Sequence, residues 1–299
     1  ADNFCLYSYY GDNMTEFAHI TPTAYLDLFA SGRPFHLTLA HLVEQDEKYA
    51  SWYSDRDTSR SIMPYVNIMD NSAFEMYKQD REMYPSDKLI EMGTKVAADY
   101  IVMSDYPGQE AARTVDKAME MAPVLRDAGF GTFFVPQSKE YDLEDLIDAF
   151  DWAAESEHVD YIGVSILAVP IAYGVEKYNN LQRFLSRWKF MGELHGRGIL
   201  DKIHSNEKKL HFLGMVDGPN EIQLVSKYLH WIDTWDSSAA IWAGLCNIHF
   251  DNSPTGLIDG KNEIEVDFAH QGADNKLLGI AAHNAQYIDH LLKGSHIDW

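Results

Sequence analysis

The chain has 299 residues, with 46 acidic side chains against 24 basic ones and a formal charge of −22. A hydrophobic content of 46% with 13% aromatics is enough for a large buried core and excludes global disorder. Two cysteines, Cys5 and Cys246, exclude a disulfide framework and a four-cysteine zinc site.

Taken in chain order, short apolar runs alternate with longer helical patterns. Residues 1–35 are expected as an N-terminal extension. The runs beyond it are His36–His41, Tyr65–Met69, Tyr100–Met103, Thr132–Val135, Tyr161–Ile166, His211–Val216 and Trp231–Trp235. Each is four to six residues long and rich in Val, Ile, Phe and Tyr, as strands buried on both faces are. Between them, 3.6-residue periodicity predicts helices over Pro85–Ala98, Ala111–Ala128, Asp142–Glu155, Leu181–His195 and Glu221–Leu229, with Leu277–Leu292 closing the pattern. Six or more strand–helix units of this size argue for an α/β fold of (βα)8 TIM type. The expectation is one domain with insertions over residues 1–299, its barrel spanning 36–293. No apolar run approaches the roughly 18 residues of a membrane span. The opening residues lack the basic start and apolar centre of a signal peptide, so a soluble protein of a reducing compartment is expected, with no membrane contact.

Polar residues fall at or just past the ends of the runs: Asp70, Asp105, Gln137, Asp217 and Asp236. In barrels of this type the reactive residues sit at the C-terminal ends of the strands. A single Asp after a strand is commonly a helix cap or turn residue. Asp70, Asp105 and Asp236 taken together point to a shared site, because two of them lack an obvious helix to cap.

At these positions the chain resembles the tRNA-guanine transglycosylases. Asp70-Asn71-Ser72-Ala73-Phe74-Glu75 is similar to the family's DSG(A/G)(F/Y)Q motif, and the segment Trp231–Gly244 to its D-x-F-D-S-A nucleophile segment. Phe134-Val135-Pro136-Gln137 resembles the strand ending in a base-reading glutamine, and Tyr161-Ile162-Gly163-Val164 the IGG strand. Leu213-Gly214-Met215 followed by Gly218–Ile222 resembles a glycine- and proline-bearing turn, and His283-Asn284 a late HN pair. The matches keep the family's order over about residues 62–293.

The resemblance implies base exchange at a nucleic acid glycosidic bond. Asp236 is then the nucleophile and Asp70 the general acid/base. Asp105 and Gln137 would bind the polar edge of a guanine-like base, the glutamine amide donating to O6. Gly163 and Val164 would offer backbone groups to the base, Phe74 would stack on it, and Ser72 belongs to the same substrate-binding set. A carboxylate is a competent nucleophile toward an oxocarbenium-like carbon.

The departures shape the rest of the expectation. The family's cysteine–histidine zinc site is missing, so no metal and no cofactor is expected. Cys246 and His249 form an isolated C-x-x-H, with His270 a conceivable third ligand. Ser138-Lys139 stands where the family has glycines after the glutamine, and no basic RNA-gripping extension is present. The basic stretches Arg183–Lys189 and Lys202–Lys209 remain open as either nucleic-acid contacts or solvated helix faces. The compact length resembles DNA-guanine transglycosylases of bacteria and their viruses, which insert 7-deazaguanine bases. DNA is therefore expected ahead of tRNA as the polymer, with a 7-deazaguanine as the incoming small molecule. The location implied is cytoplasmic, in the host if the chain is viral. A homo-oligomer or a helper subunit is a further expectation. Two other functions stay open: an enzyme acting on a free nucleoside or nucleotide, which the charge of −22 suits better than a polymer, and a non-catalytic base-binding subunit.

Overall fold

A computed structural model describes residues 14–54, 65–251 and 265–294 of the chain. Cys5 lies outside them. Eight strands form one sheet: β1 (Glu16–His19), β2 (Phe35–Leu39), β3 (Val66–Asp70), β4 (Tyr100–Val102), β5 (Gly131–Phe134), β6 (Tyr161–Ser165), β7 (Lys209–Leu213) and β8 (Thr234–Ser237). Their order is β1-β8-β7-β6-β5-β4-β3-β2, and every ladder is parallel. β1 and β2 stand at the two ends of that order and pack side by side, so the sheet rolls into a nearly closed barrel.

Helices return the chain outside the barrel. The described ones are α1 (Leu26–Phe29), α2 (Ala40–Gln45), α3 (Glu47–Ser54), α4 (Ala73–Lys78), α5 (Ser86–Lys95), α6 (Ala111–Asp127), α7 (Leu143–Glu155), α8 (Ala168–Ala172), α9 (Asn180–Gly196), α10 (Ile199–Ser205), α11 (Asn220–Leu224), α12 (Ala239–Leu245) and α13 (Asn275–Gly294). This is the (βα)8 architecture that the alternation of runs predicts. α6 shows why a return helix forms. Thr114, Ala118, Met121, Ala122 and Leu125 recur at three- and four-residue spacing and are buried, while its exposed side carries charge. Asp142 caps α7 by accepting from the Asp145 amide at 3.2 Å. α12 and α13 meet at Gly244, where a Cβ would lie 2.3 Å from the Ala281 backbone, so only glycine permits that packing.

The seven expected strands are all present, with bounds shifted by a few residues. One expectation is corrected. The stretch read as an N-terminal extension contains β1, which pairs with β8 in the register Ala18↔Asp236. β1 is only four residues long and contains Glu16 and His19, so it has no continuous apolar run to announce it. The helix expected over Glu221–Leu229 divides into α11 and a 3-10 segment, Ser226–Trp231, which takes up the start of the run expected as a strand.

Period-two alternation decides what lines the barrel interior. Phe35 of β2, Phe133 of β5 and His211 of β7 come from non-neighbouring strands, yet their rings meet at 5.9 Å (Phe35–His211) and 5.3 Å (Phe133–His211). They form an aromatic layer across the middle of the barrel. Below it, at the N-terminal ends of β4, β6 and β8, three aspartates repeat one device. The Asp99, Asp160 and Asp233 carboxylates each accept, at 2.8 Å, the backbone N–H of a neighbouring strand: from Asn67, Thr132 and Leu210 respectively. Above it lies the C-terminal mouth.

Candidate active site

Three carboxylates from different strands gather at the mouth. Asp70 is the last residue of β3, Asp236 lies within β8, and Asp105 follows β4 by three residues. Asp70 is partly exposed, but protein crowds its carboxyl group. Burial, then the negative charge of Glu75, hold its pKa well above the usual carboxylate range. The Ser72 N–H, donated at 2.9 Å, opposes this, and the charges of Asp105 and Asp236 add to it. Burial and the neighbouring carboxylates thus favour the protonated form of Asp70.

Ser72 makes that turn possible. Its backbone is left-handed, with φ of 58°, a conformation costly for a residue with a side chain. His41, at the start of α2, holds it there. The His41 backbone N–H donates to Ser72 Oγ at 3.1 Å, and its Nδ1 lies 2.8 Å from the same oxygen. Burial lowers the His41 pKa to about 4, with Arg81 helping, so the imidazole is neutral across the physiological range. Ser72 thus has its amide spent on Asp70 and its hydroxyl on His41. The structure gives it a role in shaping the turn rather than a hydrogen bond for substrate.

Asp105 is fully buried and accepts from Asn71 Nδ2 at 2.8 Å and Gln137 Nε2 at 2.6 Å. Burial raises its pKa to about 6, against the pull of those two donors. Asn71 also donates to the Met103 carbonyl at 2.7 Å and accepts from the Ala73 amide at 2.8 Å, so it ties the turn after β3 to the turn after β4. The Gln137 amide nitrogen is committed to Asp105, while its buried Oε1 has no partner. Gln137 therefore offers an acceptor in addition to the second N–H of its amide, the donor expected toward a base. An orphaned buried carbonyl is an unmet hydrogen bond that a ligand N–H can satisfy.

Asp236 is held differently. Its Oδ1 accepts from His211 Nε2 at 2.9 Å and is 3.4 Å from the Gly214 amide. A carboxylate only accepts, so His211 carries its proton on Nε2, and Nδ1 accepts from the Thr234 hydroxyl at 2.7 Å. The Thr234–His211–Asp236 chain runs up the barrel interior and fixes the carboxylate orientation. His211 is the functional residue that sequence reasoning misses. A histidine in an apolar run reads as core, but alternation with Leu213 aims it inward beside Thr234, its partner in the β7–β8 register.

The Gly163 position is filled by neighbours: a Cβ there would lie 2.7 Å from Phe133 and 2.8 Å from Leu213. Its lack of a side chain is what lets the barrel pack there. The Val164 carbonyl accepts from Arg187 Nη1 at 3.1 Å. Phe74 lies on α4 at the outer rim, 40% exposed, with the Lys78 ammonium 4.4 Å from its ring centre. Asp217 is a buried turn residue with φ of 55° that accepts from Asn220 Nδ2 at 2.9 Å.

Within the basic stretch Arg183–Lys189, Arg187 itself turns inward and is not a solvated cation. Its side chain is 1% exposed and pairs bidentately with fully buried Glu221 at 2.8 and 2.7 Å. It also donates to the carbonyls of Leu213 and Gly214, at 2.8 Å each. Trp235 Nε1 donates to the Gly214 carbonyl as well, at 2.7 Å. The guanidinium thereby fixes the loop whose amide faces Asp236.

His270 Nδ1 is hydrogen-bonded with the Tyr25 hydroxyl at 3.0 Å, and His249 stacks on His283 at 3.8 Å. Burial pushes the Cys246 thiol up. Among the described residues, no three His, Cys, Asp or Glu side chains converge as metal ligands, and no helix is long and apolar enough to cross a membrane. No protein-family model matches the chain, and no curated protein is significantly similar to it.

Proposed function

We propose that the chain exchanges a guanine-type base at a nucleic acid glycosidic bond, with DNA preferred over tRNA and a 7-deazaguanine as the incoming base. The observation that carries this reading is the pair of unlike carboxylates at one barrel mouth. Burial favours the protonated form of Asp70, and Asp236 is oriented by two N–H donors. Two carboxyl groups in unlike surroundings are suited to divide the roles of acid and nucleophile.

In this mechanism Asp236 Oδ attacks the anomeric carbon. The bond from that carbon to the base nitrogen breaks, and Asp70 gives its proton to the leaving base. An aspartyl-glycosyl ester results. The incoming base then attacks the same carbon, yields its ring N–H proton to Asp70 and releases Asp236. Asp105 and the Gln137 Oε1 present acceptors to ring and exocyclic N–H groups, which a guanine edge supplies. His211 and Arg187 act as positioning residues for Asp236 and its loop.

A second reading, an enzyme of free nucleosides or nucleotides, draws on the surface charge. The rim cations Lys78, Arg81 and Lys139 are already paired with Glu265, Glu44 and Glu110. One assay separates the two. Duplex DNA, single-stranded DNA, unmodified tRNA and guanosine, each labelled in guanine, are incubated with candidate 7-deazaguanines, with Asp236→Ala in parallel. Release from a polymer that requires both the incoming base and Asp236 is the expected result. Release from guanosine alone selects the second reading, and no release from any substrate removes both.

A further inference from the structure

We infer that the rim of the barrel mouth binds single-stranded nucleic acid by stacking its bases on exposed aromatic rings, with phosphate contacts secondary. The inference rests on the base-exchange reading only for the chemistry done on the bound strand. Because every strand is parallel, the segments leaving β3, β5 and β6 emerge at the same end as Asp70 and Asp236. Those segments carry Phe74, Tyr77, Tyr141 and Tyr178, which are 40, 67, 72 and 82% exposed. Among the described residues, the one other aromatic side chain of comparable exposure is Trp188, on the return helix α9.

Single exposed rings need no explanation. These are organised. Lys78 lies over Phe74 at 4.4 Å and Lys177 beside Tyr178 at 5.6 Å, while on the segment after β4 Arg113 sits over Tyr106 at 3.9 Å. The Tyr141 ring is seated against Gly174, where any Cβ would collide with it, and the Tyr141 amide donates to the Ile171 carbonyl at 3.2 Å. The ring is thus braced while its outer face stays open. Rings interleaved with cations are how sequence-tolerant single-strand binders take bases and backbone together. A protein partner would call for a contiguous apolar patch, which charged residues here interrupt.

Charge limits the phosphate contribution. Lys78 and Lys139 are engaged by Glu265 at 2.5 Å and Glu110 at 2.9 Å. Arg113 and Lys177 form no ion pair with a described carboxylate. Two neutralised phosphates predict a slope of log affinity against log salt of about −1.4 for a single strand. A duplex keeps its bases stacked internally and presents a denser charge to a chain of −22, so it loses on both counts.

The test is fluorescence anisotropy with the full chain carrying Asp236→Ala, so that exchange cannot contribute. The probes are single-stranded DNA and single-stranded RNA of one sequence, about 12 nucleotides long, and the matching DNA duplex, titrated between about 50 and 200 mM salt. A single strand is expected to bind at least about tenfold tighter than the duplex, with a slope no steeper than about −1.4. The two single-strand arms name the preferred polymer. Tyr141→Ala and Tyr178→Ala should each weaken binding by about 5- to 100-fold at unchanged melting temperature, because both side chains are exposed. Absent binding, a duplex bound as tightly, a slope near −4, or full binding by the Phe74/Tyr141/Tyr178→Ala triple variant each overturns the inference. Binding without guanine release by the unsubstituted chain leaves the stacking rim standing and removes base exchange. Release without rim-dependent binding does the reverse.

Discussion

The two ends of the barrel use the same residue type for opposite purposes. At the N-terminal end, Asp99, Asp160 and Asp233 each accept a backbone N–H from a neighbouring strand. Asp160 also pairs with Arg126, and Asp233 with Lys209 and His204. Burial works to raise the Asp233 pKa, but the His204, Leu210 and Lys209 donors outweigh it and hold the carboxyl below its ordinary value. At the C-terminal end, Asp70 and Asp105 are raised by burial, with no cation among the described residues in direct contact. Asp160 and Asp233, matched with cations, are part of the frame, whereas a buried carboxyl group without one is free energy stored where a ligand can recover it.

Removing the charge at each end sharpens the contrast. The largest effect should be on turnover. Asp236→Ala is expected to lower base release by at least about a thousandfold with the fold intact by circular dichroism, whereas Asp160→Ala should leave release within a few fold. Comparable losses from both would erase the distinction between the ends.

The Arg187–Glu221 pair is the case at the mouth that is built like the frame, with every charge matched. Arg187→Met or Glu221→Gln strands its partner in the interior and should cost about 3–5 kcal/mol in denaturant unfolding. The double replacement by apolar residues should recover much of that loss. A single variant as stable as the parent would show that the pair does not hold the loop after β7.

The two ends should also answer pH with opposite signs. Asp105 has a folded pKa of about 6 against an unfolded value near 3.9. The folded state therefore holds the extra proton between these values, and the Asp105 contribution falls as pH rises from about 4 to about 6, by up to about 3 kcal/mol. Asp105→Asn should flatten that fall. The Asp233 contribution, from a lowered pKa, is present above about pH 4 and lost as pH falls through the folded value. Asp233→Asn should remove an acid-side loss instead. Urea unfolding at several pH values reads both, and a shared sign would break the comparison.

Smaller still is Asp160→Ala, which strands the buried Thr132 amide and should cost about 1–3 kcal/mol. Least of all is Lys139→Ala. Its exposed pair with Glu110 should leave the melting temperature unchanged.

The strands were readable because a strand buried on both faces is a run of apolar residues, and seven such runs are visible. β1 was not, since four residues with a glutamate at one end have no run to show. The aspartates at the mouth were readable from their positions at strand ends. What the linear pattern hides is polarity and commitment. Nothing in the order of residues says that Gln137 spends its amide nitrogen on Asp105, that the Ser72 hydroxyl belongs to His41, or that Arg187 turns inward. His211 was hidden for a related reason: a histidine flanked by Leu210 and Phe212 looks like filler until the neighbouring strand supplies Thr234 and Asp236.

The pairing of β1 with β8 sets a schedule for biosynthesis. The Thr15 hydroxyl donates to the Ile232 carbonyl, 217 residues further along the chain. At translation rates of about 5–20 residues per second, the strand made first waits about 10 to 40 s for its partner. During that interval β1 lacks the strand it pairs with, and nascent barrels can meet one another through its open edge. A chaperone that shields an N-terminal segment should therefore raise the yield of this protein more than one acting on the finished chain.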